Sequence, residues 1–265
     1  RITGRGFAIT GIVTPVLGML PLMAILFPAL FRIKEQAKRA VCLSNLKQLS
    51  LAWVMYADEN DDFLVNGAIG YSNMNMSWGD HTNEVAWVDG LNTGWNNIEA
   101  KEQAIKAGAL WPYVQNLTTY RCPTGRNEEP LTYAIMFSMN AVNHPPTQGV
   151  SGAYIKKRSE IPNPANRLVF IDDGWMTPDA FAVHYDKEHW WDDPPVRHGD
   201  GTTISFADGH SEYWKWKGTD TIKRAKLVEQ IHQGNWSPAT EAGYRDLYRM
   251  QKGCWGRLGY RPTYP

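Results

Sequence analysis

The segment from Phe7 to Phe31 constrains this chain most, because its 25 residues include no charged side chain. A bilayer-spanning helix needs about 20 apolar residues, so the segment is long enough to cross a membrane. Basic residues flank it on both sides, at Arg1 and Arg5 and then at Arg32, Lys34, Lys38 and Arg39. Because water-exposed apolar surface is unfavourable, the segment is expected to be buried in lipid or against other protein.

Three interpretations of this apolar segment compete: a secretory signal, a plain membrane anchor, and a stem that sits first in a bilayer and then in a filament core. A secretory signal is disfavoured because the run is too long and no small-x-small cleavage site closes it. Pro15, Pro21 and Pro28 each remove a backbone donor and would weaken a lone helix. In a bundle, neighbouring helices satisfy the freed carbonyl groups.

The helical pattern continues past the apolar run as an amphipathic segment over residues 32–57. A polar, acidic run follows, so the helix is predicted to end between Asp58 and Asp62. From Phe7 this makes roughly 50 residues, or roughly 75 Å at 1.5 Å per residue. The continuation favours the stem interpretation. The predicted helix end divides the chain into an N-terminal stem, residues 1–60, and a globular head, residues 61–265.

Four short segments resemble those of a known family. They are Arg5-Gly6-Phe7-Ala8-Ile9-Thr10-Gly11, Cys42-Leu43-Ser44-Asn45-Leu46-Lys47-Gln48-Leu49, Tyr120-Arg121-Cys122-Pro123, and His198 followed after nine residues by Asp208-Gly209. Together they resemble the type IV pilins and type II secretion pseudopilins that have a prepilin-type N-terminal segment and an H-X9-DG C-terminal signature.

The resemblance implies an α+β fold of the pilin-like ladle type, with a long N-terminal helical stem packed on an antiparallel β-sheet head with long loops. It implies a structural subunit, not an enzyme, that polymerises through its stem into an extracellular type IV pilus-like or pseudopilus filament. The implied partners are copies of the chain, the prepilin peptidase and the inner-membrane assembly machinery. The subunit would sit in the inner membrane before assembly and then in an extracellular filament or a periplasmic pseudopilus.

The resemblance also implies roles for residues of the stem. Gly6 falls at the prepilin cleavage point and Phe7 at the residue that becomes the methylated N-terminus. Gly11, Pro21 and Pro28 are the candidates for stem bending and assembly, and Pro28 with Gly18 predicts local unwinding in a filament. The family places Glu where this chain has Gly11, which removes a buried carboxylate–amine pair and leaves the register of the filament core to packing.

Several elements of the head follow from local patterns. Asp208-Gly209 lies between two alternating runs, which is a strong signal for a β-hairpin. We therefore expect an antiparallel sheet against the second half of the stem. Further strands are predicted over 131–140 and 167–172, and helices over 98–113 and 219–233. The tail over 235–265 is rich in Gly, Pro, Tyr and Trp, and is expected to wrap the head or a neighbour.

Composition bears mainly on partners. Lys and Arg together number 27, as do Asp and Glu, so no basic patch for nucleic acid is indicated. Twelve Trp and twelve Tyr are expected mostly in cores or subunit interfaces. Because exposed aromatic side chains also stack on sugars, a membrane-anchored glycan-binding module is the first alternative function.

Candidate metal ligands are few and dispersed. Asp172, Asp173, Asp192 and Asp193 are candidates for calcium, although solvated loop carboxylates are the commoner case. No other cofactor is indicated. A metal-dependent hydrolase is the second alternative and would need His198, Asp208 and His210 within a few Å of one another, whereas turn chemistry alone explains Asp208-Gly209.

The three cysteines, Cys42, Cys122 and Cys254, show no Cys-x-x-Cys spacing, so a zinc knuckle or a redox motif is not supported. An exported domain permits a disulfide, but three thiols leave one over. The sequence does not select the pair.

Overall fold

A computed structural model describes the backbone of residues 5–90, 97–125, 129–174, 176, 180–228 and 234–265, and the side chains of those from residue 30 onward. The predicted roles of Gly6, Phe7, Gly11, Pro21 and Pro28 therefore lie outside the residues whose side chains are described.

The chain begins with one long helix, α1, Arg5–Glu59, of 55 residues. At 1.5 Å per residue this helix is about 80 Å long. The helix ends at Glu59, which confirms the predicted helix end between Asp58 and Asp62. Just beyond it, the amide of Asp62 donates to Ala57 O at 2.9 Å, and Asp61 and Asp62 have φ of 52° and 69°. The helix is continuous through Gly18 and Pro28 in the single chain. Local unwinding there was predicted for a filament and stays a prediction.

The described strands form two antiparallel sheets. A small ribbon pairs β1, Asn75–Met76, with β2, Gly79–Asp80. The main sheet has the order β3-β4-β5-β6, with every pair antiparallel. Its strands are β3, Tyr133–Ile135, β4, Leu168–Asp172, β5, Gly201–Phe206, and β6, Ser211–Lys215. The described residues thus form a mixed helix and antiparallel-sheet fold, as the α+β prediction requires.

The hairpin between β5 and β6 is confirmed. Its register runs from Gly201 opposite Lys215 to Ser205 opposite Ser211. In the turn, the amide of His210 donates to Asp208 Oδ1 at 3.1 Å, and Gly209 takes φ of 90°, which glycine adopts without strain. The strand predicted over 131–140 is shorter, because only Tyr133–Ile135 pairs with β4.

The second half of α1 packs on the main sheet through one face, which we call the inner face. It consists of Cys42, Leu46, Leu49, Trp53 and Ala57, all at most 1% exposed. Their spacing of three and four residues places them on one side of an α-helix. Polar contacts fix the same packing: Ser50 Oγ donates to Ser205 Oγ of β5 at 2.8 Å.

Three further helices complete the described part of the head: α2, Ile98–Ala107, α3, Thr219–Val228, and α4, Glu241–Trp255. No helix was predicted within the tail over 235–265, but α4 occupies its middle. Thr240 caps the helix start by accepting from the amide of Gly243 at 3.0 Å, and Gly256 ends it with φ of 78°. Helix α4 buries Leu247, Met250 and Cys254 in the core.

Aromatic residues fill this core. Five of the tryptophans lie there, as expected. Trp53, Trp87, Trp190, Trp216 and Trp255 are fully buried. Trp190 packs edge-on against Trp216, with ring centroids 5.9 Å apart. Burial of these rings supplies a large share of the apolar surface that stabilises the head.

Candidate functional site

Four buried side chains meet where the stem touches the head. Cys42, Cys122, Asp172 and His198 each offer one sulfur, nitrogen or oxygen atom, and these atoms all lie within 4.8 Å of one another. We call this group the thiol–histidine cluster. It is the one group of three or more such residues, among those that the structure describes, that is arranged to hold a metal ion.

Each member comes from a different element. Cys42 lies on the inner face of α1, and Asp172 is the last residue of β4. Cys122 follows a short 3-10 helix, Leu117–Tyr120, and its amide donates to Thr132 Oγ1 at 2.7 Å. His198 lies in the loop just before β5.

The distances within the cluster are those of direct contact. Cys122 Sγ is 3.2 Å from His198 Nε2, and Cys42 Sγ is 3.3 Å from Asp172 Oδ2. The nitrogen of His198 and the oxygen of Asp172 are 3.7 Å apart. These three separations link all four groups into one cluster.

Hydroxyl and amide groups surround the two sulfurs. Thr203 Oγ1 lies 2.8 Å from Cys42 Sγ, and the hydroxyl of Tyr133 donates to the same sulfur at 3.2 Å. The Cys122 sulfur accepts from the amide of Thr124 at 3.4 Å and lies 3.0 Å from the Thr124 hydroxyl. Donors around sulfur favour the thiolate form, which is the form that binds metals.

A buried cation sits beside the carboxylate. Arg197 Nε lies 3.9 Å from Asp172 Oδ1, and its Nη2 donates to the carbonyl oxygen of Thr124. Gly174 makes room for the guanidinium: with φ of 85°, a Cβ there would fall 2.5 Å from Arg197 Cζ. The turn after β4 therefore requires glycine so that the arginine can reach the cluster.

Burial sets most of the pKa shifts in the cluster. It raises the pKa of Cys42 and of Asp172 well above their usual values and lowers the pKa of His198. Burial alone would also raise the pKa of Cys122, but hydrogen bonds with Cys42, Asp172 and Thr124 lower it to about 6. Of the two thiols in the cluster, Cys122 is thus the one whose pKa is lowered.

The four candidate calcium ligands are not brought together. Asp172 belongs to the thiol–histidine cluster, whereas Asp192 Oδ2 accepts from the amide of Ala182 at 2.6 Å. Asp193 Oδ1 accepts from Arg224 Nε at 2.8 Å. Calcium binding by Asp172, Asp173, Asp192 and Asp193 stays a prediction that these contacts do not support.

The residues of the hydrolase hypothesis are separated. His210 Nδ1 and Asp208 Oδ1 are 2.5 Å apart in the turn after β5, where both side chains are more than a third exposed. His198 lies before the opposite end of β5, in the thiol–histidine cluster. The convergence that this hypothesis needs is therefore absent from the described part of the chain.

Sequence reasoning missed Cys42 and Cys122 as members of a site. They lie far apart in the chain, and neither has a second cysteine nearby. The available signal was indirect: both fall in the segments that resemble the pilin family, as does His198. Only the packing of α1 against the head brings the three together.

A second feature is the uncovered surface of α1. Residues 30–37 of this helix are all exposed, including Leu30, Phe31 and Ile33. Arg39 stacks over the ring of Tyr213 at 4.6 Å, near where the head begins to cover the helix. Within the residues described with side chains, no helix combines the length and the apolar character needed to cross a bilayer.

Comparisons with known proteins gave no match. No family model, no curated protein and no solved structure matches this chain. Function is therefore inferred from the chain's own features, which are the surface of α1 and the thiol–histidine cluster.

Proposed function

We propose that this chain is a structural subunit that polymerises through α1 into an extracellular pilus-like or pseudopilus filament. The observation that carries the proposal is a continuous exposed stripe on α1, opposite the inner face. We call it the outer stripe, and it consists of Leu30, Ile33, Ala37, Ala40, Ser44, Gln48, Leu51 and Met55, all exposed.

The outer stripe has the geometry of a helix-packing surface. Its members follow one another at intervals of three or four residues. At 3.6 residues per turn they fall within about 80° of the helix circumference, and their centre lies about 180° from that of the inner face. Large apolar residues occupy the two ends of the stripe and small ones, Ala37 and Ala40, lie between them, which lets a second helix approach closely.

A membrane anchor alone does not explain the outer stripe. Lipid would cover the charge-free segment up to Phe31, but Leu51 lies about 30 Å further along the helix. Leu51 is 60% exposed and Met55 40% exposed. Apolar side chains at that distance from the bilayer call for a protein partner, and a copy of the same stem offers the same stripe.

The N-terminal part of α1 adds to this driving force. Residues 7–29 carry no charge and form part of the same continuous helix. Burying one large apolar side chain contributes about 1.5–3 kcal/mol, so neighbouring stems in a filament core stabilise one another. The ladle arrangement, passage through the inner membrane and action of the prepilin peptidase belong to this same proposal.

The glycan-binding alternative is less well supported. It needs an open aromatic cleft, whereas five tryptophans are buried in the core. A cleft of about 540 Å³ has Phe206 and Trp214 in its lining, but these two rings are only 5% and 4% exposed. The cleft lined by Trp78 and Tyr71 has a volume of about 170 Å³. Ligand pockets usually measure about 300–1,000 Å³.

Shearing the producing cells and imaging the released material by cryo-electron microscopy tests the proposal. We expect filaments with α1 in the core and the head outside, and mass spectrometry of the subunit should give an N-terminus at Phe7. Protein confined to the membrane fraction, without polymer, would contradict the proposal and favour the anchored module.

A pair of variants ties the result to the outer stripe. Leu51→Lys places a charge in the stripe and should abolish filaments while the head stays folded. The matched control is Leu227→Lys, which changes an equally apolar side chain, 48% exposed, on α3. Filaments that survive Leu51→Lys would show that this stripe is not the assembly surface.

A further inference from the structure

We propose that Cys42, Cys122, Asp172 and His198 form a tetrahedral Zn²⁺ site that joins the stem to the head. The proposal rests on the buried cluster alone and holds whether or not the chain forms filaments. A failure of one proposal therefore leaves the other standing.

The spacing of the cluster matches a four-coordinate zinc ion. Zinc lies about 2.3 Å from sulfur and about 2.0–2.2 Å from nitrogen or oxygen, so tetrahedral ligand atoms are about 3.3–3.8 Å apart. The observed separations are 3.2 Å for sulfur to nitrogen, 3.3 Å for sulfur to oxygen, and 3.7 Å for nitrogen to oxygen. These three separations lie within a few tenths of an ångström of the tetrahedral values, and every other pair of ligand atoms is at most 4.8 Å apart.

The chemistry of the donors selects the metal. Two cysteines and a histidine are soft and borderline ligands, which suit zinc, whereas calcium and magnesium take oxygen ligands. Four protein ligands fill a tetrahedral site and leave no open position for a substrate or an activated water. The cluster is therefore of the structural kind, in which the metal holds elements together.

The charge of the site is balanced by its surroundings. Two thiolates and one carboxylate exceed the charge of Zn²⁺ by one negative charge, and the guanidinium of Arg197 lies 3.9 Å from that carboxylate. Buried charges need such partners, because desolvation without them is costly. The hydroxyls of Thr203 and Tyr133 and the amide of Thr124 serve as the outer groups that orient metal ligands.

A disulfide between Cys42 and Cys122 accounts for less of the observed cluster. It would involve only the two sulfurs and would give no role to the imidazole of His198 or to the Asp172 oxygen that contacts Cys42. Asp172 Oδ1 accepts no hydrogen bond from the described residues. A metal ion accounts for all four groups and for the convergence of an acidic oxygen and an imidazole nitrogen on the sulfurs.

The site would fix the stem mechanically. Cys42 is its one ligand on α1, and the other three belong to the head. Because such a site does not exist in the unfolded chain, metal-binding free energy becomes folding free energy. A metal bridge at this junction would therefore stabilise the packing of the stem on the sheet.

The test uses the full chain, purified in detergent under reducing conditions and loaded with zinc. We expect one zinc per chain by elemental analysis after removal of unbound metal. Cys122→Ser and His198→Gln should reduce zinc to background. The matched control is Cys254→Ser, because Cys254 is equally buried but contacts Ser138, outside the cluster, and should keep its zinc.

A second measurement avoids variants that fail to fold. X-ray absorption at the zinc edge of the unaltered chain should show two sulfur neighbours at about 2.3 Å and two lighter ones at about 2.0–2.2 Å. A chain that binds no zinc would overturn the proposal, whether its thiols are free or mass spectrometry finds Cys42 linked to Cys122. Zinc bound through nitrogen and oxygen alone would overturn it as well.

Discussion

The two sides of α1 share the same residue periodicity but have opposite surroundings. Along the same turns of helix, the inner face buries Leu46, Leu49 and Trp53 against the sheet, while the outer stripe leaves Leu51 and Met55 in contact with solvent. Both sets recur every three or four residues. Apolar periodicity therefore predicts that a helix face will be covered, but it does not say whether the cover comes from the same chain.

The largest expected effect distinguishes the two sides by stability. Trp53→Ala removes a fully buried side chain from the inner face and should lower the free energy of unfolding by about 3–5 kcal/mol. Met55→Ala, on the outer stripe, should change it by less than about 0.5 kcal/mol in the unassembled subunit. Denaturant unfolding of both variants measures the difference. Equal losses would show that the outer stripe is also covered within the chain.

Zinc should stabilise the packing of the inner face on the head and should leave the outer stripe unaffected. At a free zinc concentration about 100 times the Kd, the folded state gains about 2.7 kcal/mol. Thermal unfolding of the reduced protein with zinc and with a chelator measures this gain. We expect the same gain in Met55→Ala and none in Cys122→Ser. A gain that persists in Cys122→Ser would place the metal elsewhere.

A smaller effect concerns the carboxyl of Glu84 and its hydrogen-bond partners in the head. Burial opposes ionisation of Glu84, but hydrogen bonds from His81 and Lys156, and a further one from Asn140, lower the pKa of this carboxyl. Its folded pKa is below the unfolded one, so its stabilisation is present above the unfolded pKa and is lost as pH falls through the folded pKa.

Glu84→Gln should therefore flatten the acid limb of the stability profile, with a loss of about 1 kcal/mol near neutral pH. Denaturant midpoints measured from neutral to acidic pH check this. The control is Glu241→Gln, which changes an exposed helix-surface pair with Arg245 and should leave the profile unaltered. An unchanged acid limb in Glu84→Gln would show that other carboxyls dominate it.

Local patterns were enough for several elements. The end of α1, the strand at Leu168–Asp172 and the hairpin around Asp208-Gly209 follow from helical periodicity, β-prone composition and turn chemistry, each of which acts over a few residues. Helix α4 was not predicted although Thr240 and Gly256 cap it, because glycine and aromatic residues interrupt its helical pattern.

The thiol–histidine cluster was beyond such patterns. Cys42 contacts Asp172 across 130 positions, and Cys122 contacts His198 across 76. No spacing rule connects residues so far apart. The sequence instead grouped His198 with Asp208 and His210, which lie close to it in the chain. The cluster exists because the helix, the sheet and two loops fix these side chains at one point.

The sequence by itself determined that the chain has a long helix with apolar faces, and that a β-hairpin follows in the head, because periodicity and turn chemistry are properties of neighbouring residues. Only the tertiary structure decided which face of α1 the sheet covers, which face remains outside, and which thiols, imidazole and carboxylate meet. Those outcomes depend on long-range packing, where burial against a distant element outweighs what any local pattern specifies.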